Sequence, residues 1–186
     1  MMIRTLLLTI KSSIIFSSNN PEIYNLCGLK GTIKPTLEHI FPKCYMNKIS
    51  FNDMHNIYSC NGKINNMRSN YKYTDFNDFD GDLNNFKRID KTTNFISNKD
   101  KLFIPEEESR GIIARTIMYM SYEYKYKYSK VIDTKHLIDW CLLYPPNKKE
   151  INHNNDVFSI QYKRNKFIDL YNKKNYKRYI KSIFYE

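Results

Sequence analysis

Glu38 and His39 stand side by side in the segment PTLEHIFP, residues 35–42, among Leu37, Ile40 and Phe41. A buried charge is costly unless it is paired, hydrogen-bonded or bound to a metal. The pair therefore either lies exposed or has chemical work to do. Downstream come Asp53, His55 and Asn56, and then Asn65, Arg68 and Ser69 at i, i+3 and i+4, a spacing that shares one face of a helix. Together these segments can gather a carboxylate, an imidazole, an amide oxygen and a guanidinium around one point. Oxygen donors from a Glu and an Asn suit Mg²⁺, which keeps several waters and takes few protein ligands. A neutral His beside such an ion can accept a proton from an attacking water. Arg68 can hold a phosphate with two nitrogens.

Three other readings compete, the blandest being a basic globular protein without nucleic-acid function. His39-x4-Cys44 and His55-x4-Cys60 form two His/Cys pairs in one small unit, the material of a structural, tetrahedral zinc site. Lysines interleaved with tyrosines would also serve a nucleic-acid-binding module without catalysis, by phosphate contact and stacking.

The elements that must position these residues are legible in outline. Up to about residue 60, short apolar runs bounded by Asn, Pro and Gly read as strands and turns. The pattern predicts one strand carrying Glu38-His39, a second carrying Asp53, His55 and Asn56, and a helix after Gly62 with Ile64, Met67 and Tyr71 on its apolar face. Residues 71–101 are polar and aromatic without a strong period, and read as loops with short strands. From Pro105 the pattern turns helical. Three glutamates follow that proline, as suits a helix N-terminus, and Ile113, Ile117, Met120 and Tyr124 form a stripe at helical spacing. A second helix is expected over 133–143, stopping at Pro145-Pro146, and a basic, aromatic one near the end. The fold class is α+β, expected as a single domain over residues 1–186.

The chain has 186 residues, 41% hydrophobic and 26% charged, with a net charge of +11. That balance fits a soluble globular protein and favours a polyanionic partner, nucleic acid or an anionic surface. Abundant Asn, Ile, Lys and Tyr read equally as compositional bias. Cys27, Cys44, Cys60 and Cys141 are few for a secreted disulfide scaffold, and no Asn-x-Ser/Thr acceptor occurs. The start MMIRTLLLTIKSSIIFSSNN is interrupted by Lys11, which reads as a first strand or helix rather than a signal peptide. No apolar run reaches membrane-spanning length. A soluble monomer is expected, with an intracellular location favoured over secretion.

Taken in order, the motifs resemble the endonuclease I family of non-specific nucleases, within the ββα-metal (His-Me finger) group. Its Glu-His-x-x-Pro block is matched by Glu38, His39 and Pro42. Its Asp-x-His-Asn and Gly-x-x-Asn-x-x-Arg-Ser-Asn blocks are matched by Asp53, His55, Asn56, Gly62, Asn65, Arg68, Ser69 and Asn70. Its Arg-Gly-x-x-Ala-Arg-x-x-x-Tyr-Met block is intact as Arg110, Gly111, Ala114, Arg115, Tyr119 and Met120. The closing pattern is recognisable in Trp140, Pro145, Glu150 and QYKRNKFID. The resemblance implies a ββα-metal unit with a packed C-terminal helical region. It implies His39 as general base, Glu38 and Asn65 as ligands of one Mg²⁺, and cleavage of DNA, possibly RNA, to 5′-phosphate ends. His55, Asn56 and Asn70 read as structural, and Arg110, Ala114, Arg115, Met120 and Trp140 as packing and ion-pairing groups.

The chain also departs from the pattern. The stretch from His39 to Asp53 is short, so the insertion that carries a phosphate-contacting arginine in some members is missing. Lys43 or Lys48 stands as the substitute. Lys63 replaces a common acidic residue, Ser59 a proline, and Tyr162, Lys163 and Lys166 the usual Gly, Asn and Pro. Neighbours on a regular strand face opposite ways, so a bulge or bend is expected to re-aim one of Glu38 and His39.

Overall fold

The computed structural model describes residues 22–23 and 35–185. The expectations for the N-terminal segment and for Cys27 fall outside these residues. Among the described residues no two of Cys44, Cys60 and Cys141 are bridged.

Strand β3 (Ile57–Asn61) is the centre of a three-stranded sheet, flanked by β1 (Glu22–Ile23), parallel to it, and β2 (Pro35–His39), antiparallel. Every residue of β3 is buried, polar Ser59 and Asn61 included. Helix α1 (Gly62–Arg68) starts directly where β3 ends. Asn61 makes that possible, because its side-chain oxygen accepts from the Lys63 and Ile64 amides and satisfies two donors of the first turn. At the other end Ser69, with φ of 52°, turns the chain out of the helix. The expected strand–strand–helix order is thus present, with one correction. Asp53, His55 and Asn56 do not lie on the second strand. They form a 3₁₀ turn just before it, capped by the Asp53 side chain accepting from the His55 amide. That local hydrogen bond competes with the ladder, a known habit of Asp.

The middle region holds a second sheet, β4 (Lys72–Tyr73), β5 (Lys87–Arg88), β6 (Phe95–Ser97) and β7 (Leu102–Ile104), in the order β4-β7-β6-β5. Helix α2 (Glu107–Tyr124) follows, with Glu107 and Glu108 in its first turn. The apolar stripe predicted for it understates its position, since every residue from Ser109 to Ser121 is buried. Its polar residues are matched from within. Arg115 donates from Nε and Nη2 to the two oxygens of Glu150 at 2.7 and 2.6 Å, and from Nη1 to the Tyr144 carbonyl at 2.6 Å. Gly111 permits this closeness, because a Cβ there would sit 2.4 Å from the Tyr144 carbonyl oxygen.

Helix α3 (Thr134–Leu143) ends before the expected proline pair, and α4 (Lys148–Gln161) and α5 (Lys166–Asp169) follow. The last helix, α6 (Tyr176–Phe184), buries Tyr176, Ile180 and Phe184. One large apolar cluster runs from Ile40 and Tyr58 through Ile113 and Trp140 to Phe184, so the C-terminal helices and the strand–strand–helix unit share a core.

Candidate active site

The end of β2, the turn after it and α1 line one open cleft, with Glu38, His39, Lys43, Cys44, Asn65, Arg68 and Asn70 among its walls. Four of the six residues singled out from the sequence as catalytic, metal-binding or phosphate-binding therefore meet here as expected in space. Arg68 meets them in a different capacity, and Lys48 lies on a neighbouring exposed turn outside the cleft lining.

The β2–β3 register runs unbroken from Pro35↔Asn61 to His39↔Ile57, so the expected bulge is absent. Glu38 and His39 keep the alternation of a regular strand, and the bend falls after them, at Ile40. Glu38 is buried and His39 half-buried. Of their apolar neighbours, Ile40 and Phe41 are fully covered, whereas Leu37 is partly exposed.

His39 Nε2 lies 3.0 Å from the Phe51 carbonyl oxygen. A carbonyl only accepts, so Nε2 carries the proton and Nδ1 keeps its lone pair. Burial lowers the His39 pKa below 6.5; the Phe51 hydrogen bond opposes this, and the positive charges of Lys43 and Arg68 add to it. The ring is therefore neutral at neutral pH and able to take a proton.

Asn65 donates from Nδ2 to Thr36 Oγ1 and to the Leu37 carbonyl, both at 3.1 Å. With its nitrogen committed to β2, the amide's oxygen is the end left to act as a donor to a cation. Glu38 accepts from Arg68 Nη1 at 2.6 Å. Arg68 is only 1% exposed, and its terminal nitrogens also donate to the carbonyls of His39 (3.2 Å), Ser69 (3.3 Å) and Ile40 (2.8 Å). Its guanidinium stacks over Tyr73 at 4.4 Å. This corrects the two-nitrogen phosphate grip expected of Arg68, whose fork is spent inside the protein.

The 3₁₀ turn behind the cleft is tied down from both sides. Asn56 imitates a backbone pair, accepting from the Phe41 amide at 2.7 Å and donating to its carbonyl at 3.0 Å. Asp53 accepts the hydroxyls of Tyr119 (2.9 Å) and Tyr124 (2.6 Å) and the Gln161 amide (3.2 Å). His55 is fully buried and donates from Nε2 to the Lys163 carbonyl at 2.9 Å, and burial lowers its pKa. His153, donating to the Met54 carbonyl, is pushed by burial down to about 3. The structural role read for His55 and Asn56 matches these contacts. Among the described residues no three His, Cys, Asp or Glu side chains come together to hold a metal ion, and the zinc reading finds no site there.

Sequence reasoning missed Thr36 and Phe51. Thr36 was within reach, because it lies two residues before Glu38 and so shares its strand face. Phe51 acts through its carbonyl, which any residue carries, and no side-chain pattern marks it.

Residues 7–171 match the model of the family described as Endonuclease I, and the chain belongs to that family. Nucleases of this family are generally metal-dependent. An "Endonuclease-1" of Buchnera aphidicola subsp. Acyrthosiphon pisum (strain APS) is 32% identical over 117 residues, 62% of this chain and 44% of the relative. A "Periplasmic deoxyribonuclease" and an "Extracellular deoxyribonuclease" of Aeromonas hydrophila are each 28% identical over 117 residues, 63% of this chain and 47% and 48% of the relatives. The chain spans about half the length of the curated relatives it matches. The last two names, periplasmic and extracellular, overturn the expectation of an intracellular location.

If Arg68 is the counter-ion of a buried carboxylate, Arg68→Gln leaves Glu38 buried without its charge partner. The expected loss is about 3–5 kcal/mol of stability, read as a lower urea midpoint with an unchanged slope. A phosphate-holding role would instead raise KM and leave the midpoint in place.

Proposed function

We propose that this chain is a metal-dependent endonuclease that hydrolyses phosphodiester bonds of DNA, and by extension RNA, without strong sequence preference. It works as one domain with a ββα-metal unit, as a monomer in the periplasm or outside the cell. The single observation that carries the reading is the shared cleft, lined by a neutral imidazole, a carboxylate and an amide anchored through its own nitrogen. The deoxyribonuclease names of two relatives support the choice of DNA.

His39 Nδ1 takes the proton of a water that attacks phosphorus from the side opposite the leaving 3′ oxygen, so the product keeps a 5′ phosphate. The Phe51 carbonyl holds the ring in the tautomer this requires. Glu38 and Asn65 are hard oxygen donors, a set that fits Mg²⁺ with most of its waters retained. Such an ion, when bound there, stabilises the charge that develops on the phosphoryl and leaving oxygens. Lys43 stands exposed at the cleft wall, where its charge attracts the scissile phosphate. Lys48, exposed on the next turn, extends that positive rim toward the flanking backbone. Lys63, in place of an acidic family residue, is balanced by Asp90 at 2.9 Å and leaves the cleft unaffected.

Separate roles for base and ligand predict different losses. His39→Ala should lower kcat by about 10²–10⁴-fold, the usual worth of a general base, with Mg²⁺ affinity held by calorimetry. Asn65→Ala should instead weaken Mg²⁺ binding and recover part of its rate at high Mg²⁺. It is the better ligand variant, since Glu38→Ala would also strand Arg68. Loss of Mg²⁺ binding in His39→Ala with none in Asn65→Ala would reverse the assignment.

The pH profile follows from the lowered His39 pKa. The active form is the neutral ring, and a pKa below 6.5 preserves it into mildly acidic solution. Therefore the acid-side midpoint of kcat/KM should lie below pH 6.5. A fall that begins near pH 8 would point to a different base.

A further inference from the structure

The family match ends at residue 171, and the most basic helix of the described chain comes after it. Between residues 172 and 185 stand Lys173, Lys174, Lys177, Arg178 and Lys181, with no Asp or Glu. These five side chains are exposed, while Tyr176, Ile180 and Phe184 face the core. Lys174, Lys177, Arg178 and Lys181 follow helical spacing along one side and line a shallow groove with Asn175 and Ser182. Several cations elsewhere sit beside acids, as in Lys72–Asp133, Lys135–Asp139 and Arg164–Asp169. Among the described residues no acid pairs these four. Like charges four apart on a helix, such as Lys177 and Lys181, destabilise it. A polyanion laid along the groove removes that repulsion.

The neighbouring surface links the groove to the cleft. Phe184 at the end of α6 accepts at its carbonyl from the Tyr128 hydroxyl. Tyr128 belongs to the exposed basic segment Lys125, Lys127, Lys130, and Lys130 Nζ lies 5.5 Å from the Tyr45 ring, in the turn that begins with Lys43. These contacts place the basic segment 125–130 between the turn of Lys43 and the end of α6. A membrane-surface helix needs an exposed apolar face to insert, and α6 spends its apolar face on the core. Asn175 and Ser182 add neutral side chains of the kind that bond phosphate oxygens.

We infer that the outward face of α6 is a second nucleic-acid contact, holding the phosphate backbone of a long substrate outside the cleft. This rests on the nuclease reading and adds a length preference to it. The test compares the wild type with K174Q/K177Q/R178Q/K181Q on duplexes of about 30 and about 8 base pairs, with binding followed by fluorescence anisotropy in chelator. For the long duplex the variant's Kd should rise at least about tenfold at low salt, and the slope of log K against log salt should shrink by about 3. Cleavage of the short duplex in Mg²⁺ should match the wild type, and the charge-preserving set K174R/K177R/R178K/K181R should bind the long duplex normally. Unchanged long-duplex affinity, equal losses on both lengths, or a charge-preserving set that behaves like the glutamine set would overturn the inference. So would a loss confined to phosphatidylglycerol vesicles, which would assign the face to a membrane. Wild-type protein that binds with this dependence yet cleaves nothing would leave the surface standing and remove the nuclease reading. Cleavage with unaltered binding would do the opposite.

Discussion

The buried ion pair of Glu38 and Arg68, 2.6 Å apart and almost inaccessible to water, is the constraint on which the cleft depends. Two charges in such surroundings are tolerated only with good geometry and further hydrogen bonds. Arg68 supplies both, since it bonds three backbone carbonyls and lies on the Tyr73 ring. One of those carbonyls is that of His39 and another that of Ile40, where the chain leaves β2. The guanidinium therefore pins the end of the strand to the end of α1. His39 and Asn65 flank this pin on the two elements it joins, and their separation is set by it.

A second layer of contacts fixes the piece that the pin does not reach. The turn at Asp53–Asn56 receives bonds from α2 through Tyr119 and Tyr124, and from α4 through His153 and Gln161. Asn56 passes that order forward to Phe41. The shape of this turn is maintained by the C-terminal helices, and β3 starts from it already aligned. Arg115 and Glu150 hold those helices together in turn. The far half of the chain thus acts as a brace for the near half.

Glu38, His39 and Asn65 were legible because their chemistry is unusual for their neighbourhood and their spacing follows strand and helix periods. The α1 start was legible through Gly62, and the stop of α3 through Pro145-Pro146. Arg68 was misjudged for a physical reason. A guanidinium suits a phosphate and a buried carboxylate equally well, and only the fold reveals which one it meets. The stripe on α2 understated the burial of that helix because its polar residues are matched from within, as Arg115 is by Glu150 and Arg110 by Asp75. Helix α4 escaped notice since its polar residues Asn152, His153 and Asn154 break the apolar period; His153 and Asn154 are buried and hydrogen-bonded. Carbonyl partners such as those of Phe51 and Lys163 leave no mark in the sequence.

The central claim is that this cleft hydrolyses nucleic acid with the help of a divalent ion held by few ligands. It is tested most directly by incubating the purified wild-type chain with supercoiled plasmid and with RNA in Mg²⁺, in excess chelator, and after Mg²⁺ is restored. The account predicts nicking and degradation in Mg²⁺, none in chelator, full return on restoration, and 5′-phosphate ends on the fragments. Undiminished cleavage in excess chelator, or intact plasmid and RNA in Mg²⁺, would contradict it.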